Sequence, residues 1–186
     1  MFRLISWLMI AAIFLTGCSD NGSVEPALAL REQLLASDGC AFCISISADY
    51  GDSVYSFVMD CTTDANGNIT FSVIEPEPIS GITGKIDQDG GKLIFDEKIL
   101  TFPLLADEQL TPVSAPWLLI RGVRSGYIGA VGKDGDNYKV QLDDSFEEDP
   151  LKMDLWINEE SIPIHCDFLW DNRRIITVSI ENFRFL

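Results

Sequence analysis

The chain has 186 residues, of which 29 are Asp or Glu, 13 are Lys or Arg and one is His, so its formal net charge at pH 7 is −16. A surface this acidic repels the phosphate backbone, which excludes nucleic acid as a partner. The hydrophobic fraction of 47% predicts one folded domain with a sizeable core and excludes a disordered stalk.

The first eighteen residues have the pattern of a secretion signal. Arg3 is the only charged residue ahead of an apolar run from Leu4 to Phe14, which is too short to span a bilayer as a helix. Leu15-Thr16-Gly17-Cys18 then resembles the bacterial lipobox, in which the cysteine thiol receives a diacylglyceryl group. The alternatives are an ordinary signal peptide and a membrane anchor with a coincidental cysteine. We predict a signal peptide over residues 1–17, a lipidated tether over 18–24 and one domain over 25–186.

Removal of the signal peptide takes away Arg3 and leaves 12 basic against 29 acidic residues, a net charge of −17. The expected mature domain is therefore held to the membrane by the lipid on Cys18 and not by its own charge. This predicts an extracytoplasmic location at the cell membrane, or at an outer membrane if the source has one.

The domain begins with a predicted helix from Glu25 to Ala36, which is followed by a β-meander. Strands are expected at about 41–49, 53–63 and 68–75. A two-residue Gly51-Asp52 turn would place Phe42 opposite Cys61, so that the apolar faces of the first two strands coincide. A three-residue loop over 65–67, with Gly67 in a left-handed bulge, keeps the third strand in the same register.

The second half of the chain alternates short strands with one apolar helix. Strands are predicted near 84–87, 92–96 and 99–102, a helix from Ala115 to Arg124, and strands near 127–131, 137–142, 151–158, 162–170 and 174–183. In the later hairpins the alternation favours Met153, Leu155 and Ile157 opposite Cys166, Ile164 and Ile162, and Phe168 opposite Ile176.

This order of elements resembles the lipoprotein-localisation-factor (LolA/LolB-like) superfamily. Leu155-Trp156-Ile157-Asn158 followed by Ser161-Ile162-Pro163 is similar to a strand–turn–strand passage of that family. The resemblance implies a mainly β (α+β) fold: a strongly curved antiparallel open barrel, with an N-terminal helix and a short central helix covering the concave side. It also implies an apolar cavity for acyl chains of lipids or lipoproteins, whereas some Gram-positive lipoproteins of this shape bind a cell-wall amidase.

We therefore expect a non-catalytic protein with a hydrophobic cavity between the sheet and the helix that carries Trp117. Its predicted lining is Phe57, Met59, Phe71, Val73, Phe95, Trp117, Ile120, Leu155, Ile164, Phe168 and Val178. The alternative is an accessory protein that supports a cell-wall (peptidoglycan) enzyme, with the same residues collapsed into an ordinary core.

Other residue patterns indicate structure more than chemistry. Cys40 and Cys43 form a CxxC, but it follows a helix instead of opening one, so a redox or zinc role is the lesser alternative. Cys40 is the diagonal neighbour of Cys61, which makes these two the expected disulfide pair. The sequence shows no serine or cysteine nucleophile that would pair with His165. The acidic run 143–149 is interpreted as a solvated hairpin tip, with a calcium site as the alternative. No metal, cofactor or catalytic residue is predicted.

Overall fold

The computed structural model describes residues 23–96, 98–103, 105–106, 109–144 and 151–186. The predicted signal peptide, Cys18 and most of the acidic run 143–149 lie outside them. The first part contains α1 (Glu25–Ala36), β1 (Cys40–Asp49), β2 (Val54–Thr63), β3 (Ile69–Glu75), β4 (Thr83–Asp87), β5 (Gly90–Phe95) and β6 (Lys98–Phe102). The second part contains β7 (Leu105–Ala106), β8 (Gln109–Leu110), α2 (Ala115–Ser125), β9 (Tyr127–Asp134), β10 (Asn137–Asp143), β11 (Lys152–Ile157), β12 (Pro163–Trp170) and β13 (Arg173–Phe185).

Eleven strands form one antiparallel sheet in the order β6-β5-β4-β3-β2-β1-β13-β12-β11-β10-β9, while β7 and β8 pair separately. The strands β6 and β9 are its edges, so the sheet is open. Two meanders, β1–β6 and β9–β13, are joined where β13 lies beside β1, with Ile44 opposite Ile180 and Ile46 opposite Val178. The predicted open, mainly antiparallel architecture with two helices is confirmed.

The predicted register of the first three strands is confirmed. Phe42 lies opposite Cys61, and Cys61 lies opposite Phe71 on the next strand. Turn chemistry fixes both connections. Gly51 (φ +91°) and Gly67 (φ +86°) adopt the left-handed backbone that each turn requires, which glycine does without a steric penalty.

The predicted pairing of β11 with β12 is wrong by one step of two residues. Leu155 lies opposite Cys166, and Met153 lies opposite Phe168. Pro163 and not Ile162 lies opposite Ile157, so the turn is one residue longer than predicted, and an irregularity between Trp156 and Ile157 adds the second residue of the shift. A bulge of this kind cannot be recognised from the alternation of apolar residues in the sequence. The pairing of Phe168 with Ile176 is confirmed.

Both helices pack on the buried face of the sheet and against each other. In α1 the residues Ala27, Leu30 and Leu34 are buried, whereas Leu28 and Leu35 are about half exposed, so only a narrow apolar stripe of this helix faces the core. Helix α2 is buried around most of its circumference.

The Arg31 guanidinium joins the two helices: its Nε donates to the carbonyl of Val123 and its Nη2 to that of Gly126, both at 2.6 Å. These bonds satisfy carbonyls that the end of α2 leaves unpaired. Neither helix in the described ranges has the length and hydropathy to cross a membrane.

Candidate functional site

A large and mainly apolar concave site lies at the end of the sheet where β1 turns into β2. It is a groove of about 790 Å³, within the size range of ligand pockets. Twelve of its sixteen lining residues have apolar or aromatic side chains. They are Tyr50, Tyr55, Phe57, Phe71, Val73, Pro76, Ile79, Ile82, Leu93, Leu110, Pro112 and Val113.

The sheet supplies the floor of this groove through alternate residues of neighbouring strands. Phe57 lies opposite Ile46, and Val73 opposite Met59, so each lining residue continues a buried row. Leu93 extends the floor onto β5, opposite Gly84. Because the floor consists of paired strands, its shape is fixed by backbone hydrogen bonds.

The walls come from two connections outside the sheet. One is the loop after β3, where a 3-10 turn spans Glu77–Ile79 and Val73 exchanges backbone hydrogen bonds of 2.8 and 2.9 Å with Ile82 and Gly81. The other is the segment before α2, which the Tyr50 hydroxyl holds by donating to the carbonyl of Leu110. Burial raises the pKa of Tyr50 to about 12, so the phenol keeps this proton at neutral pH.

Apolar side chains continue beyond the groove onto its rim. Tyr55 is 53% exposed, and Leu100, which lies opposite Leu93, is 63% exposed. Ile79 also remains partly exposed on the opposite wall. A continuous apolar floor with an exposed apolar rim is a surface that water covers poorly and that an apolar ligand would cover favourably.

Three residues of the predicted cavity lining, Phe57, Phe71 and Val73, lie in this groove. Five others belong to the packed core and are at most 2% exposed: Met59, Ile120, Leu155, Phe168 and Val178. The sequence places all eight on the buried face, but it does not distinguish core from cavity, because both demand the same apolar alternation.

The half of the sheet beneath the helices is closely packed. A pocket between α1, α2 and strands β10 and β11 measures only about 10 Å³. Helix α2 approaches β11 so closely that a Cβ on Gly122 would lie 2.3 Å from Cε of Met153. The interface of α2 with β10 and β11 is thus closely packed, and the groove lies on the other side of the segment that precedes α2.

Three predicted lining residues lie elsewhere. Phe95 ends β5 and is 54% exposed. Ile164 is half-buried and lines a polar cleft with Trp156 and His165, because the irregularity in β12 turns it away from the core. Trp117 is 8% exposed and lines a separate cleft with Arg121. The predictions for these three side chains are corrected accordingly.

The cysteines at positions 40, 43, 61 and 166 are free thiols. Cys40 and Cys61 share the buried face, whereas Cys43 lies on the other face opposite Asp60, so the CxxC pair does not converge on one metal ion. Burial raises the pKa of the Cys40 thiol to about 11 and raises that of Cys61 further, which keeps both protonated and unreactive at neutral pH. The Cys40–Cys61 disulfide stays a prediction.

His165 belongs to a polar cluster around Asp167, which is only 7% exposed. The Asp167 carboxylate accepts a hydrogen bond of 2.9 Å from Thr177, and lies 3.2 Å from His165 Nε2 and 3.3 Å from Arg174. These contacts compensate the burial of the carboxylate and account for the lone histidine structurally.

Sequence reasoning missed most of the groove walls, namely Tyr50, Ile79, Ile82, Leu110 and Val113. They lie in connections, where no periodicity marks a buried side. The available signal was the recurrence of isolated apolar residues among turn formers, at 79, 82 and 110–113.

No protein-family model matches the chain, and no curated protein matches its sequence. Several solved structures are similar in fold. A LolA superfamily protein from Nitrosomonas europaea has 10% identity, covers 86% of this chain and 93% of its own, and gives a TM-score of 0.45. The lipoprotein LppX of Mycobacterium tuberculosis has 11% identity, coverages of 87% and 96%, and a TM-score of 0.39.

A third similar structure is the Clostridioides difficile GerS lipoprotein complex with the CwlD amidase, with 13% identity, coverages of 89% and 96%, and a TM-score of 0.45. The resemblance to LolA-like lipoproteins noted in the sequence is thus also found among solved structures. What they share with this chain is the fold.

Proposed function

We propose that the protein is a non-catalytic, membrane-anchored extracytoplasmic lipoprotein that binds an acyl chain of a lipid or lipoprotein in its apolar groove. The observation that carries this proposal is the groove of about 790 Å³ with an apolar floor and an exposed apolar rim. Each methylene of a chain that leaves water there would contribute about 0.8 kcal/mol. A chain has no directional bonds to make, so a lining with few polar groups suits it.

A titration of the purified full chain with a fluorescent fatty acid tests this function. We expect saturable binding that is at least tenfold weaker in Phe57→Glu, because the new carboxylate would be desolvated against the bound chain. Ile99→Glu is the matched control: it adds the same charge on a side chain that is 67% exposed and outside the groove. Urea midpoints of both variants establish that they fold. No saturable binding by the native chain, or equal losses in both variants, would refute the proposal.

The anchor is a separate part of the proposal. Cys18→Ala should abolish incorporation of an alkyne-labelled palmitate and leave the chain unprocessed or released from the membrane fraction. Cys43→Ala is the control, because it removes a cysteine that lies within the domain. An unchanged mature mass and unchanged detergent partitioning of the Cys18 variant would refute lipidation.

A second candidate function is support of a cell-wall enzyme such as an amidase, and the β6 edge favours it. Ile99 and Leu100 are 67% and 63% exposed on a strand that pairs only with β5. An unpaired apolar edge offers backbone donors and acceptors to a partner strand. Ile99→Lys should then abolish stimulation of amidase activity and leave fatty-acid binding intact, because Ile99 does not line the groove. Loss of fatty-acid binding alone would favour the first function.

A further inference from the structure

A second cleft, of about 850 Å³, lies at the opposite end of the sheet from the groove. One wall is the last turn of α2 with Arg121 and Arg124, and the other is the β4–β5 turn with Asp87 and Asp89. Between them lies the β2–β3 turn, whose residue Gly67 also lines the cleft. Its lining is polar, in contrast to the groove.

The two arginine side chains are held in place by contacts along their lengths. The Arg121 guanidinium carbon lies 5.3 Å from the centroid of the Trp117 ring, at a cation–π distance. The Arg124 stem passes over Gly67, where a Cβ would lie 3.1 Å from its Cδ. Both guanidinium groups are thus positioned by packing, although neither forms an ion pair with a described residue.

The opposite wall carries the negative charges of Asp87 and Asp89 on the β4–β5 turn. The Asp87 carboxylate accepts a hydrogen bond of 2.9 Å from the backbone N–H of Asp89, which orders the turn. Neither aspartate forms an ion pair within the described part of the chain. The cleft therefore presents two positive charges and two negative charges that face each other without contact.

This separation selects the ligand by charge. A simple anion would be attracted by the arginine wall but repelled by the aspartate wall. A simple cation would be attracted by the aspartate wall but repelled by the arginine wall. A zwitterion satisfies both walls. Guanidinium groups favour phosphate oxygens, which they bind through paired N–H donors, and carboxylates favour a primary ammonium.

We propose that this cleft binds a phosphoethanolamine group, with the phosphate against Arg121 and Arg124 and the ammonium against Asp87 and Asp89. The group could be a lipid headgroup or a free phosphodiester, since both present the same charges. This site shares no lining residue with the apolar groove, so it stands independently of the proposed acyl-chain function.

Isothermal titration calorimetry of the purified full chain in dodecyl maltoside tests the proposal with three ligands. These are glycerophosphoethanolamine, dihexanoyl-phosphatidylethanolamine, and dihexanoyl-phosphatidylglycerol, which keeps the phosphate but lacks the amine. The expected result is saturable binding of the ethanolamine ligands, with an affinity at least tenfold higher than that for phosphatidylglycerol. In NMR spectra of the same titration, the amide resonance of Gly67 should shift. Equal affinity for the two ethanolamine ligands assigns the site to the free phosphodiester, and tighter binding of the lipid assigns it to the headgroup.

Two double variants then separate the walls. Arg121→Gln with Arg124→Gln should weaken the ethanolamine ligands at least tenfold, whereas Arg173→Gln, an arginine outside the cleft, should not. Asp87→Asn with Asp89→Asn keeps the oxygen that accepts the turn hydrogen bond. It should weaken the ethanolamine ligands and strengthen phosphatidylglycerol, which misfolding would not do.

Phe57→Glu, the groove variant, should bind glycerophosphoethanolamine, which has no acyl chain, as the native chain does, so that failure of either site is seen separately. Absence of saturable binding by the native chain would overturn the proposal. So would equal affinity for phosphatidylglycerol, or an equal loss in Arg173→Gln.

Discussion

Phe168 and Phe95 provide a direct test of which half of the sheet is packed. The sequence predicts both as cavity-lining residues, but Phe168 is 0% exposed and Phe95 is 54% exposed. Phe168 lies opposite Met153 on β11 and opposite Ile176 on β13, so it is enclosed from both sides of its strand.

Truncation of the two side chains should therefore lower the free energy of unfolding by very different amounts. Phe168→Ala removes a fully buried ring from a region with almost no free volume, and we expect it to lower the free energy of unfolding by about 3–5 kcal/mol. Phe95→Ala removes a ring that water already contacts, and should change stability by less than about 0.5 kcal/mol.

Urea denaturation followed by far-UV circular dichroism measures both values, and equal m-values would establish that the variants unfold from equally compact states. If Phe168→Ala lost less than about 1 kcal/mol and bound fatty acid more tightly, Phe168 would line a cavity. The division into a packed half and a grooved half would then be wrong.

Three further predictions concern stability. Gly39→Ala should lower the free energy of unfolding, measured by urea denaturation, by more than about 2 kcal/mol. The added Cβ would lie 2.0 Å from the carbonyl oxygen of Thr63, and the φ of residue 39 is +149°. A native-like urea midpoint would contradict this close approach. Burial raises the pKa of Cys40 to about 11, so above pH 9 this thiol binds fewer protons in the unfolded chain than in the folded one, and it should lower the free energy of unfolding by about 1.4 kcal/mol per pH unit until about pH 11. The buried thiols of Cys61 and Cys166 act in the same direction, so Cys40→Ala should reduce the slope in urea titrations by the Cys40 contribution alone, and an unchanged slope would exclude this thiol as a cause. Asp167→Ala should cost about 1–3 kcal/mol in thermal or urea unfolding, because it leaves the hydroxyl of Thr177 without its acceptor; a neutral outcome would show that water replaces the carboxylate.

The elements that the sequence predicts well are those defined by their own residues. The hairpins from β1 to β3 are predicted to the residue because Gly51 and Gly67 specify the turns, and alternation then fixes which side chains face inward. Helix α2 is predicted by its apolar run, which begins after Ser114 and ends before Gly126.

The candidate site is much less predictable from the sequence. Its floor, Phe57 and Val73, follows from alternation, but its walls depend on how the loop after β3 and the segment before α2 lie in space. Whether an inward side chain meets a helix or open space is decided by elements far away in the chain. The close approach of Gly122 to Met153 shows that α2 packs directly on β11 there, which the sequence does not reveal.

The place of β13 in the sheet has a consequence for folding kinetics. The strand pairs with β1 from Cys40–Phe185 to Ala48–Ile176, so contacts at the centre of the sheet join positions more than a hundred residues apart. Such a topology has high contact order, which slows folding. The two meanders remain unconnected at this seam until β13 pairs with β1, so neither of them alone can complete the centre of the sheet.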